Sequence, residues 1–191
     1  MWFLTRSTGI VAAVLAVASV IWGFTFSARN TGRRWAANWW LALHNWLGWC
    51  TLGFTALHML VSLLDTGAGL RLVDLLVPNS TVGWAVGWGV VAFWAFAIAS
   101  VTSIARVRRR LPRRLWHVVH LLTVPAVIAM GAHAVQLGTD ATASWFVWLL
   151  AMLAGATLYP LLVRISGVVA ARRSRRTATV THPPAARRAA A

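Results

Sequence analysis

Residues 41–60 read LALHNWLGWCTLGFTALHML. The stretch is free of charged side chains and long enough to cross a bilayer's hydrocarbon, about 30 Å thick. It nevertheless contains two histidines, His44 and His58, fourteen residues apart. An imidazole at that depth costs free energy unless something partners it, and an ionisable residue inside a span marks a functional site. The rest of the chain decides what these two side chains are for.

Of the 191 residues, 59% are hydrophobic, and the mean hydropathy is +0.69. That excludes a soluble globular domain, whose apolar share is nearer half, and excludes disorder for all but the C-terminal tail. The net charge of +15 comes from 18 Arg, no Lys and 3 Asp. A basic chain can bind nucleic acid. Here the charge lies between apolar blocks rather than on a soluble face, so no nucleic-acid partner is expected and the bilayer is the partner. The single cysteine, Cys50, lies inside an apolar run, which rules out an internal disulfide and supports no thiolate metal cluster.

Five apolar blocks, 8–26, 36–64, 82–105, 115–137 and 144–168, are each long enough to span. They predict an all-α integral membrane bundle over 1–168, followed by a basic disordered tail over 169–191. The segments at 27–35, at 106–114 and from Arg164 onward hold 3, 6 and 7 Arg. With five helices all three fall on one side. The positive-inside rule then puts the C-terminus in the cytoplasm and the N-terminus outside, in a multi-pass protein of the plasma membrane. A cleaved signal peptide is the competing reading of the first block. Only one Arg precedes that block, and the Arg-rich loop after it resists translocation. Most of the thirteen Trp fall near span ends, as in aromatic belts. Gly83 and Gly87 form a small-xxx-small pair, which predicts close helix packing. The DTG at 65–67 has the form of an aspartic protease triplet but lacks a partner carboxylate.

Six histidines are present, and His182 falls in the tail. The other five, His44, His58, His117, His120 and His133, occupy only the second and fourth spans, which run in the same direction. His44 and His120 lie near one face of the membrane, His58 and His133 near the other, roughly 20 Å apart along each helix. Two facing His–His pairs suit two six-coordinate haems, one per leaflet. Zinc or copper wants a third ligand or a carboxylate, a proton relay wants carboxylates among its histidines, and the spans contain none. One spacing resists. Fourteen residues return His58 to within about 40° of the His44 face, but thirteen leave His133 about 140° from His120 on an ideal helix. Pro125 lies between them and is expected to kink the span. His117, one turn before His120, is a second candidate for the same pairing. His120 is preferred because its depth matches His44, and His117 is assigned to the interface or to a haem propionate.

At these residues the sequence resembles the ferric reductase-like transmembrane domain, the membrane cytochrome b module shared with NADPH oxidases. That family carries H-x13-H on one helix and H-x12-H or H-x13-H on another, here His44/His58 and His120/His133. The loop LRLVDLLVPNS, the stretch SVTSIARVRRRLPRRLWHVVH and the end AHAVQLGTD are similar to bacterial stand-alone members, so the resemblance covers about residues 35–140. It implies two haem b groups, with His44 and His120 holding the cytoplasmic-side haem iron and His58 and His133 the outer one.

Members that oxidise NAD(P)H continue into flavin and nucleotide domains. Here about two dozen Arg- and Ala-rich residues follow the last span, without a Rossmann-type glycine motif. The expectation is therefore the electron-transfer membrane component of an oxidoreductase. It would move single electrons from a separate dehydrogenase or a quinol to an outer acceptor such as ferric iron, oxygen or a periplasmic redox protein. Arg33, Arg34, Arg113 and Arg114 are candidates to pair with inner-haem propionates, although the positive-inside rule alone also explains them. The alternative function is a non-catalytic haem- or partner-binding membrane protein, such as an assembly subunit.

Overall fold

Hydrocarbon offers backbone N–H and C=O groups no partner, so a chain this apolar must satisfy them within helices. The computed structural model describes residues 1–27, 37–78 and 82–181, and among them every long element is a helix and there is no strand. Five segments are long and apolar enough to cross a membrane, and the protein is an all-α, multi-pass membrane protein. Arg33, Arg34 and His182 lie outside the described residues.

The first span, α1, runs Trp2–Ser27 and begins six residues before the apolar block at 8–26. Arg6 falls within the added turns, and the structure shows how its charge is accommodated. Arg6 forms a salt bridge with Asp140 at 2.6 Å and lies over the rings of Trp2 and Trp145. The second span, α2, is unbroken from Ala37 to Leu64.

A short helix, α3, covers Leu72–Leu76 in the loop that follows. Asp74, only 1% exposed, accepts the Arg71 backbone N–H at 3.0 Å and so closes the helix's first turn. Trp94 Nε1 donates to the Leu76 carbonyl at 2.8 Å, which ties α3 to the next span. Asp65 of the DTG triplet accepts the Gly67 N–H, a turn cap rather than a catalytic carboxylate.

The third span, α4, is Trp84–Ser103. Gly83 is its N-terminal flanking residue with φ +90°, a conformation that glycine adopts without strain. A Cβ at Gly87 would meet Trp84 and Pro78, so the Gly83/Gly87 pair serves the entry turn instead of packing two long helices. After α5 (Ala105–Arg108), the fourth span comes in two pieces, α6 (Arg113–Leu121) and α7 (Thr123–Leu137). The last helix, α8, starts at Ser144 as expected but continues to Thr181, well past residue 168. Ala and Arg are strong helix formers, and the helix extends into this polar stretch.

The bundle is built from two helix pairs, α1 with α2 and α4 with α6–α7, and α8 packs against α1. At mid-depth the pairs meet through small residues, Ala16 on α1, Ala92 on α4, and Ala126 and Ala129 on α7, with Phe96 between them and Leu52 of α2 alongside. The backbone of α2 makes at most sparse contact with α6 and α7. The two histidine-bearing spans therefore approach each other through side chains rather than through closely packed backbones.

Candidate functional site

The break in the fourth span explains the thirteen-residue spacing. Pro125 has no N–H to give to the Leu121 carbonyl, so the helix cannot continue regularly through this point. Instead Leu122 N–H bonds to Val119 three residues back, at 3.2 Å, and regular bonding resumes with Ala126 N–H to Leu122 at 3.0 Å. The tighter turn advances the phase and the break re-aims the axis. As a result His120 on α6 and His133 on α7 both face α2.

The structure brings the histidines together as two pairs. The ring centres of His44 and His120 are 5.8 Å apart, and those of His58 and His133 are 6.1 Å apart. His117 joins neither. Its ring is exposed, its Nδ1 donates to the Arg113 carbonyl of its own helix at 3.0 Å, and it meets Trp116 edge-on. His117→Ala is expected to leave any group bound between the pairs in place, measured as an unchanged absorbance spectrum and unchanged cofactor content. Arg113 and Arg114 sit exposed in the first turn of α6, at the membrane end nearer His120.

Each paired ring is fixed from behind. His44 Nδ1 donates to the Ser19 carbonyl at 3.1 Å and His58 Nδ1 to the Thr5 carbonyl at 2.9 Å, both on α1. His133 Nδ1 donates to the Ala85 carbonyl of α4 at 2.8 Å. His120 Nδ1 lies 3.3 Å from the Ser103 hydroxyl, whose one proton is donated to the Ala99 carbonyl at 2.7 Å. That hydroxyl must therefore accept from His120. A carbonyl can only accept as well, so all four rings carry their proton on Nδ1 and keep the Nε2 lone pair free, as metal-ligating histidines do. Trp116 stacks on His120 at 4.9 Å, and the Arg108 guanidinium lies 4.2 Å above the Trp116 ring. None of these supporting groups stood out in the sequence.

The donor set identifies what could be held. Among the described residues no group of three or more His, Cys, Asp or Glu converges. Two imidazoles alone do not make a zinc or copper site, but they complete a haem, whose macrocycle supplies the other four nitrogens. Two imidazoles on opposite sides of a first-row metal ion, with bonds of about 2 Å each, hold their ring centres about 6 Å apart, which matches both pairs. Trp40, one turn before His44, keeps a buried indole N–H with no partner among the described residues, a spare donor beside this pair. The residues present fit haem.

Residues 8–131 match the family model described as ferric reductase like transmembrane component. The chain belongs to that family. No curated protein and no solved structure matches it. The matched stretch includes His44, His58 and His120 and ends two residues short of His133. The match thus covers α2 and α4 in full and most of α1 and of the fourth span.

Proposed function

We propose that this chain is a two-haem b-type cytochrome of the plasma membrane, the electron-transfer component of an oxidoreductase. His44 and His120 hold one haem iron, and His58 and His133 hold the other. The observation that carries this reading is the pair of facing imidazoles at each level, with every Nδ1 committed to a helix carbonyl or hydroxyl and every Nε2 free. When bound, a bis-imidazole haem exchanges single electrons and offers no open coordination position to oxygen or substrate.

The chain's own residues supply the surroundings. Ala16, Ala92, Phe96, Ala126 and Ala129 fill the middle of the bundle between the two levels with apolar atoms, and the buried Thr51 hydroxyl at the same depth donates to the Leu47 carbonyl of its own helix. The Arg-rich segment at 106–114 sits at the His44–His120 end, and by the positive-inside rule that end is cytoplasmic. This puts the N-terminus outside and the basic residues beyond the last span near anionic headgroups. Arg113 and Arg114, with Arg33 and Arg34 of the preceding basic loop, are the propionate partners assigned to this end. Electrons arrive from a separate dehydrogenase or a quinol and leave to an acceptor outside.

The test is a reduced-minus-oxidised absorbance spectrum of the detergent-purified protein, with a pyridine haemochrome assay. The expected result is a low-spin b-type spectrum at two haems per chain. One haem would discard one pair. A protein that stays colourless after expression with ample haem would overturn the reading.

A further inference from the structure

The carbonyls that hold the α2 histidines, those of Thr5 and Ser19, are fourteen residues apart on α1, and each is followed four residues later by a glycine, Gly9 and Gly23. On α4, Ala85, whose carbonyl holds His133, is likewise followed four residues later by Gly89. This recurrence has a steric cause. In an α-helix the side chain at i+4 leans toward the N-terminus, over the carbonyl of residue i. That carbonyl spends one lone pair on the helix and keeps a second, which an outside donor reaches only if the i+4 position leaves room. Glycine leaves it, and the imidazole occupies the space. A Cβ on Gly9 would lie 3.1 Å from the His58 ring, one on Gly23 3.1 Å from the His44 ring, and one on Gly89 2.8 Å from His133 Nδ1.

The fourth position follows the same register with one change. Fourteen residues after Ala85 and Gly89 come Ala99 and Ser103. Here the i+4 residue is a serine, and its hydroxyl stands between the Ala99 carbonyl and His120, donating to the first and accepting from the second. The same oxygen also accepts Trp116 Nε1 at 3.3 Å, so it is shared between two donors.

Building on the two-haem reading, we propose that Gly9, Gly23, Gly89 and Ser103 are positioning residues for the four ligand histidines. The three glycines open a helix carbonyl to Nδ1–H, and Ser103 is the one relay that weakens this support. An acceptor behind Nδ1 makes an imidazole a stronger donor to its metal and favours the oxidised ion. The shared hydroxyl at 3.3 Å supports His120 less than the carbonyls at 2.8–3.1 Å support the other three. Ser103 therefore raises the potential of the iron held by His44 and His120 relative to what a glycine there would give.

The test is a redox titration, with haem content, of the purified protein and three variants. Ser103→Gly exposes the Ala99 carbonyl to His120. It is expected to keep two haems and to shift one of the two midpoint potentials to more negative values. In Gly89→Ala the new methyl displaces the His133 ring, and the expected result is loss of one haem or a shift of the other midpoint. Gly131→Ala is the control, on the span that carries His133 itself, because a Cβ there meets nothing within 4 Å, and it should behave as wild type. Two haems with both midpoints unmoved in Ser103→Gly would overturn the relay. Two haems with unaltered midpoints in Gly89→Ala would overturn the notch, and so would a Gly131→Ala effect as large as that of Gly89→Ala. Should Gly89→Ala fail to fold, Ser103→Gly alone decides, since it only removes atoms. A wild-type protein without haem would instead defeat the reading on which the proposal stands.

Discussion

Replacing His44 and His120 together with alanine is expected to halve the haem content of the purified protein and leave a low-spin spectrum from the remaining haem. Replacing His58 and His133 together should do the same for the other one. The crossed doubles give the sharper result. His44→Ala with His133→Ala takes one ligand from each pair and is expected to remove both haems, although the number of substituted histidines is unchanged. The prediction follows from the separation of the pairs. The 5.8 Å and 6.1 Å ring distances lie within a level, while roughly 20 Å of helix separates the levels, so no histidine can substitute for one in the other pair. His117 cannot rescue His120, because its ring is exposed and its Nδ1 is bonded to its own helix. If the crossed double and the same-pair doubles lose equal amounts of haem, the pairing is wrong. The loss should also be visible in stability. The backbones of the two histidine-bearing spans make at most sparse contact, so a group bridging them would contribute to holding the halves together, and a ligand bound only by the folded state stabilises it.

The spans and the pairing of His44 with His120 and of His58 with His133 were legible in the sequence because they rest on length, apolarity and spacing, which need no knowledge of neighbours. The five blocks match the five spans within a few residues at most of their boundaries. The exceptions have local causes. At the start of α1 the helix takes in Arg6, whose charge is met by Asp140 and two Trp rings that apolarity alone does not reveal. The thirteen-residue spacing of His120 and His133 could not be resolved from the sequence. A proline announces a break but not the angle that follows, and that angle depends on how α7 packs against α4. The bracing of the rings was hidden for a different reason. A backbone carbonyl has no letter in the sequence, so Thr5, Ser19 and Ala85 act through atoms that every residue has. The trace they leave is indirect. Glycines at 9 and 23, then Gly89 and Ser103, repeat the fourteen-residue interval of His44 and His58 on helices that carry no histidine. The Gly83 and Gly87 pair fits a familiar packing pattern but shapes the turn into α4.

That interval sets up the second large effect. α2 is continuous from Ala37 to Leu64, with no proline or break between its two histidines. Inserting one alanine between Thr51 and Leu52 would therefore turn His58 by about 100° and move it about 1.5 Å relative to His44. Each histidine of α2 is tied to α1 by one hydrogen bond, His44 to Ser19 and His58 to Thr5. The inserted helix can keep one of these ties in register but not both. The half that stays in register keeps its pair, and the other half presents its imidazole to the wrong neighbours. The expected result is one haem per chain, close to the content of a same-pair double alanine variant, with the protein still folded in detergent. Retention of both haems would mean that α2 absorbs the extra residue locally as a π-bulge, which some helices do near functional sites. In that case the fourteen-residue register would not be what sets the second pair. The fourth span has already solved this problem in the other direction, since its break at Leu122 lets thirteen residues do the work of a regular interval. A span without such a break has no equivalent freedom, and the contrast between the two ligand helices is what the insertion measures.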